Sequence, residues 1–130
     1  MSVSVKEGIV TPAAPQPGGA YSQGIAVGGL IFTAGFGPQD PADGSVPDGI
    51  EAQTRNVLRN VAATLAERNA TLDDVVKATV HLQHLDRDFG DFNRVYSEFF
   101  EAPYPARTTV GSTLAGILVE IDVVAALPTA

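Results

Sequence analysis

Between Ile50 and Phe100 the spacing of apolar residues changes twice, and this switch of period narrows the fold more than any other feature of the chain. From Ile50 to Arg68 the residues Ile50, Val57, Leu58, Val61, Leu65 and Ala66 recur at threes and fours, while Glu51, Arg55 and Arg59 line another face. That is the period of a helix with one buried stripe, and Asn69, which tolerates left-handed backbone, is its expected stop. Val76, Ala78, Val80 and Leu82 then alternate with Lys77, Thr79, His81 and Gln83, the period of a half-buried strand. Around Asp88 to Phe100 the helical period returns through Phe89, Phe92, Val95, Tyr96, Phe99 and Phe100, with Asp88 and Asp91 suited to the positive N-terminal end. Between helix and strand, Thr71 and Asp74 have the spacing of a capping box and predict a short helical turn.

The flanking segments read as strands. Ile25-Ala26-Val27 and Leu30-Ile31-Phe32-Thr33-Ala34 flank Gly28-Gly29, a pair able to supply the positive φ angles of a two-residue hairpin turn. Pro38 to Gly49, with Asp43-Gly44, predicts a surface loop leading into the helix. Arg107 to Leu127 breaks at Gly111 and Gly116 and predicts two more strands. The expectation is a single α+β domain over residues 1–130, without repeats or linkers. Two amphipathic helices can cover one face of its sheet, which leaves the other face in need of cover. A hydrophobic content of 45% against 18% charged residues makes association of several copies the simplest cover.

Charge and composition remove several function classes. A formal net charge of −7 is the wrong sign for neutralising phosphates, so no nucleic-acid partner is expected. With no cysteine, disulfides, thiolate nucleophiles and cysteine metal sites are all excluded, which fits a reducing compartment and an expected cytoplasmic location. Met1 to Glu7 lacks the pattern of a signal peptide. Gly8 to Gln39 carries no charge, yet its prolines and glycines forbid a membrane-spanning helix. His81 and His84, three apart on a predicted strand, point to opposite faces, so no metal is expected there. In the acidic run Asp86, Asp88, Asp91, the last falls where an EF-hand loop needs glycine, and Ser97 where it needs glutamate. Gly35-Phe36-Gly37 lacks the later glycine of a dinucleotide fingerprint, and no serine sits in a Gly-x-Ser-x-Gly elbow, so neither a cofactor nor covalent acyl chemistry is implied.

Two charges stand in apolar surroundings: Arg107 in Pro105-Ala106-Arg107-Thr108-Thr109-Val110 and Glu120 in Ile117-Leu118-Val119-Glu120-Ile121. An arginine fork matches a carboxylate in two parallel hydrogen bonds, and a glutamate can hold or activate a water. Spacing leaves two readings open, an ion bridge across neighbouring strands or a ligand site. Tyr21, Thr33, Asn93 and Thr109 are further polar groups set in apolar patterns, each explicable alone as an anchored hydroxyl, a strand threonine or a helix-edge amide.

Taken in order, these residues resemble the Rid (YjgF/YER057c/UK114) family, named for deamination of reactive imine and enamine intermediates. The resemblance runs over nearly the whole chain. It rests on Gly19-Ala20-Tyr21-Ser22-Gln23, Phe32-Thr33-Ala34-Gly35, Ala52-Gln53-Thr54-Arg55 with Asn60, Phe92-Asn93-Arg94-Val95-Tyr96, and the closing Pro105-Ala106-Arg107 and Val119-Glu120-Ile121. It implies a chorismate-mutase-like fold with a mixed, mostly antiparallel sheet, two main helices on one face, and a homotrimer whose sheets form a central barrel. Ligand clefts between subunits are implied too, with Tyr21 and Asn93 among the residues a neighbour supplies. By the same resemblance Arg107 binds the substrate carboxylate, Glu120 positions the attacking water, and Tyr21, Thr33, Gly35, Asn93 and Thr109 shape the pocket. The implied activity is hydrolysis of 2-imino or 2-enamino acids to 2-keto acids and ammonia, without metal or organic cofactor. A non-catalytic trimeric module binding small carboxylates is the alternative, and endoribonuclease activity sits poorly with the net charge. Thr33 and Thr109 stand where the best-known deaminases have serine and cysteine, Ala20 replaces a proline, and the segment from Arg107 to Glu120 is about two residues shorter. These departures bear on substrate range.

Overall fold

Gly28 and Gly29, at φ of 56° and 82°, turn the chain between β2 (Gly24–Val27) and β3 (Leu30–Thr33) as the glycine pair predicts. The protein is seen in a computed structural model that describes residues 5–129. Ahead of the hairpin lies β1 (Glu7–Ile9), and after it come α1 (Ile50–Ala66), β4 (Val75–Leu82), α2 (Leu85–Ser97), β5 (Ala106–Gly111) and β6 (Val119–Ala126). The strands form one six-stranded sheet in the order β1-β2-β3-β6-β4-β5, in which only β4 and β5 run parallel. The mixed, mostly antiparallel sheet and the two helices agree with the sequence expectation.

One face of this sheet carries the core. Val119, Ile121, Val123 and Ala125 of β6 lie in register with Leu82, Val80, Ala78 and Val75 of β4, all buried beneath the helices. Each fully buried valine or leucine of this layer contributes about 1.5–3 kcal/mol relative to exposure. The alternation of β4 is one residue out at its start: Val75 is buried and Val76 exposed, the reverse of what strict alternation gives. A β-bulge between Val75 and Lys77 inserts the extra residue and turns Val76 outward.

Helix α1 buries Ile50, Val57, Leu58, Val61 and Leu65 as spaced, but Ala66 is exposed, and the buried stripe is completed by Gln53, Thr54, Asn60 and Thr64. The two threonines return their hydroxyls to the carbonyls of Ile50 and Asn60, four residues back, which lets them sit in the core at little cost. Asn69 adopts φ 60° just past the helix, and the Thr71–Asp74 capping box closes on a 3₁₀ turn at Leu72–Asp74. Helix α2 starts at Leu85, three residues ahead of the predicted start, so its first turn carries Asp86 and Asp88 while Asp91 pairs with Arg94 in the next. Ion pairs from Glu51 to Arg94 and from Arg55 to Glu98 join the two helices at the surface.

No helix among the described residues covers the opposite face. Along it Ile25, Phe32 and Val124 stand side by side across β2, β3 and β6, followed by Lys77, Asp122, Thr79, Glu120 and His81. Phe32 keeps 42% of its surface exposed, an unusual setting for a strand phenylalanine with apolar neighbours on both sides.

Candidate active site

Arg107 stands on edge strand β5 beside Ala78 of β4, and this register turns it to the helix-covered face. There its guanidinium carbon lies 4.7 Å from the ring centre of Tyr96, 5.5 Å from that of Phe92 and 5.9 Å from that of Phe89. All three rings come from α2, where positions 89, 92 and 96 share one face. The fourth contact is polar: an Arg107 Nη2 hydrogen is donated to Asn93 Oδ1 at 2.8 Å. No carboxylate pairs with Arg107 among the described residues. A guanidinium stacked on rings and held at one corner keeps its remaining N–H donors free for an anion. Burial holds the Tyr96 phenol above the usual tyrosine range, opposed by the neighbouring Arg107 charge, and its hydroxyl has no hydrogen-bond partner among the described residues. Thr109, two residues on, projects from the same face beside Val80.

Glu120 is built from the other side. It lies opposite His81 in the β4–β6 register, on the helix-free face, against the bend where the chain leaves β3. A Cβ placed on Gly35 would stand 2.7 Å from Glu120 Oε2 and 2.9 Å from its carboxyl carbon, so the carboxylate rests directly on glycine backbone. That bend is held by an isolated bridge between Phe36 and Ile121, and by Thr33 Oγ1, which accepts the Val123 N–H at 3.0 Å. The Thr33 hydroxyl oxygen thus replaces a backbone carbonyl in the ladder. Beside Glu120 opens a cleft of about 570 Å³ with Tyr21, Gly35, Phe36, Ile117 and Gln39 in its walls. Tyr21 is half exposed and its hydroxyl accepts the Gly18 N–H, which folds the 18–21 loop over the cleft.

Buried amides fix those walls. Gln23 accepts the Thr11 N–H and donates to the carbonyls of Thr11, Ala14 and Pro15, clamping one loop. Asn60 donates to the carbonyls of Gly37 and Gln39 in the cleft wall, while Gln53 donates to the Pro47 carbonyl and accepts the Leu118 N–H, tying the loop before α1 to the start of β6. Sequence reasoning noticed these amides without giving them this role; their signal is an amide placed on a helix's buried stripe, as Gln53 and Asn60 are beside Val57. On the same face as Glu120, burial pushes the Asp122 carboxyl above its ordinary 3.8, with His81 and Lys77 opposing. His81 Nδ1 lies 2.7 Å from Ser112 Oγ, while His84 lies beyond the strand at the N-terminus of α2. Among the described residues no group of three or more His, Asp or Glu is placed to hold a metal ion.

The site residues therefore fall into two groups within one chain. Arg107, Asn93 and Thr109 lie on or beside the helix face of the sheet; Glu120, Gly35 and Tyr21 line the cleft, and Thr33 holds the bend behind Gly35 through the Val123 N–H. Strand β4 separates β5 from β6, roughly 10 Å across the sheet, and the two charges point to opposite sides of it. An ion bridge between Arg107 and Glu120 across neighbouring strands is thereby ruled out, because their strands are not neighbours. The division also falls between the two charges, rather than between that pair and Tyr21 with Asn93.

The chain is a two-helix, six-stranded α+β unit with an arginine fork on one face and a cleft-lining glutamate on the other. The endoribonuclease L-PSP family matches residues 11–127, and the chain belongs to this family, known as Rid. A RutC family protein of Pyrococcus abyssi is 46% identical over 123 residues, 92% of this chain and 96% of that protein. A protein of Dermatophagoides farinae named 2-iminobutanoate/2-iminopropanoate deaminase is 36% identical over 110 residues, covering 84% and 85% of the two chains. The crystal structure of Escherichia coli TdcF with bound serine superposes with a TM-score of 0.87 at 33% identity, covering 92% of this chain and 98% of TdcF. No helix among the described residues is long and apolar enough to cross a membrane.

Proposed function

We propose that the protein hydrolyses small 2-imino acids, and their 2-enamino tautomers, to 2-keto acids and ammonia, in a site completed where two copies of the chain meet. The observation that carries this reading is the Arg107 fork, oriented by rings and Asn93 and paired with no carboxylate among the described residues. The deaminase name of the Dermatophagoides farinae relative supports the choice of substrate. Because Arg107 and Glu120 lie on opposite faces, one ligand meets both only if a second copy brings its arginine to the first copy's cleft. The apolar row Ile25, Phe32, Val124 on the helix-free face supplies a surface for such association, and a trimeric barrel closed by these faces is the assembly proposed.

The chemistry is modest. Arg107 holds the substrate carboxylate in its planar fork, which sets the imine carbon over Glu120. Glu120 takes a proton from water as the oxygen bonds to the imine carbon, and the imine nitrogen gains a proton. The resulting carbinolamine loses ammonia as its hydroxyl proton leaves and the carbon–oxygen double bond forms. The test generates 2-iminopropionate with an amino-acid oxidase and follows its decay. Wild type accelerates the decay, and Arg107→Ala loses about 3 kcal/mol of transition-state stabilisation, on the order of a hundredfold in kcat/KM. No acceleration by wild type across several imino acids sinks the reading.

The serine held by TdcF favours a second reading, capture of a small amino or keto acid without turnover. Glu120→Gln separates the two. It depresses turnover in an enzyme and leaves ligand affinity intact in a binding module.

A further inference from the structure

We infer that Phe92 and Tyr96 of α2 are positioning residues for the carboxylate clamp: their rings form a cradle that fixes the plane of the Arg107 guanidinium and so sets its affinity for a carboxylate. The inference rests on the reading of Arg107 as that clamp.

Three features of the geometry point the same way. Arg107 sits on an edge strand, where a long, flexible arginine side chain would ordinarily extend into solvent. Instead its guanidinium lies within 6 Å of three ring centres, and no ion pair among the described residues explains why it stays there. The rings themselves are rigid. Phe92 is fully buried, its ring 5.5 Å from that of Tyr96, and Tyr96 stacks on Phe100 at 4.5 Å with 30° between the planes. A guanidinium lying on a fixed aromatic stack loses its freedom in advance, so less is lost when a carboxylate binds.

Tyr96 adds a second sign that its ring, rather than its hydroxyl, is what the site uses. The phenol oxygen is buried with no hydrogen-bond partner among the described residues, an arrangement that costs stability, while the ring lies under Arg107. Phenylalanine at this position would avoid that cost and keep the same face for Arg107. Asn93 completes the device by fixing one corner of the fork in the plane the rings define.

The experiment measures binding of 2-oxobutanoate by titration calorimetry and imine hydrolysis in parallel, on the full-length protein. Tyr96→Leu weakens 2-oxobutanoate binding at least about tenfold and raises KM for the imine more than it lowers kcat, since what is lost is orientation of the carboxylate clamp. Tyr96→Phe keeps the affinity within about twofold of wild type, because the ring remains. In an Arg107→Ala background Tyr96→Leu produces no further loss, the signature of two residues acting through one contact. Phe89→Ala, at the exposed rim of the cradle, gives a smaller loss in the same direction and guards against a Leu variant that fails to fold. The inference is overturned if folded Tyr96→Leu binds within about twofold of wild type, if its loss adds fully to that of Arg107→Ala, or if wild type does not bind the keto acid. Binding that depends on Tyr96, without any imine hydrolysis by wild type, upholds the cradle and removes the deaminase reading alone.

Discussion

At the scale of single residues the cleft depends on atoms that are missing. Gly35 has no positive φ, so alanine could adopt its backbone conformation, yet an added methyl would collide with the Glu120 carboxylate at 2.7 Å. Gly35→Ala therefore leaves the fold in place and displaces the carboxylate, and imine hydrolysis falls on the order of a hundredfold while the thermal midpoint hardly moves. Normal activity in the alanine variant would mean that Glu120 works from some other position. Asp122 makes a separate prediction through pH. Its folded-state pKa lies above 3.8, so its favourable contribution is complete below that value and is lost as pH rises through the folded pKa. Urea unfolding from pH 3 upward should show Asp122→Asn gaining stability relative to wild type across that window, and no change in the difference would refute the assigned burial. Sequence alone marked Arg107, Glu120, Tyr21, Thr33, Asn93 and Thr109, because a polar side chain in an apolar pattern is visible one residue at a time, whereas Gly35 entered only through the family resemblance. It did not show that Thr33 serves the β6 ladder, since which carbonyl a hydroxyl replaces depends on a bend formed by residues far apart in the chain.

Elements were legible where one period held throughout. The helix at Ile50–Ala66, the hairpin at Gly28-Gly29 and the capping box at Thr71 all follow from local spacing, whereas the Val75–Lys77 bulge does not, because it records a mismatch between β4 and its partner β6. The start of α2 was misplaced for a related reason. Leu85 and Asp86 look like loop in isolation, and become helical because β4 ends at Leu82 and the chain must turn at once over the core. Gln53 and Asn60 occupy the buried stripe of α1 for what they hold rather than for what they pack against. Asn60→Ala would leave the carbonyls of Gly37 and Gln39 without their donor and should destabilise the protein by about 1–3 kcal/mol. The urea midpoint would fall with the slope unchanged. Retention of wild-type stability would show that water replaces the amide at both carbonyls.

For the whole molecule the separation of the two charges decides most. If the site is made between copies, each cleft takes Glu120 from one chain and Arg107 from the next, and neither need be present in the other chain. Arg107→Ala and Glu120→Gln subunits are then each inactive alone, but a cleft joining the intact glutamate of the first to the intact arginine of the second is complete. Unfolding an equal mixture and refolding it together places such a pair at about a quarter of the clefts of a ring of head-to-tail interfaces. Activity should therefore return to about a quarter of wild type in the co-refolded sample and stay absent when the two variants are mixed without exchange of subunits. Phe32→Glu supplies the complementary control. A charge in the row between Ile25 and Val124 should split the assembly in size-exclusion chromatography and abolish activity, although Phe32 stands in register with Ile25 and Val124 rather than with either charge of the site. Were each chain instead to bend Arg107 around its own sheet edge to reach Glu120, co-refolding would restore nothing, since every chain would carry one defect.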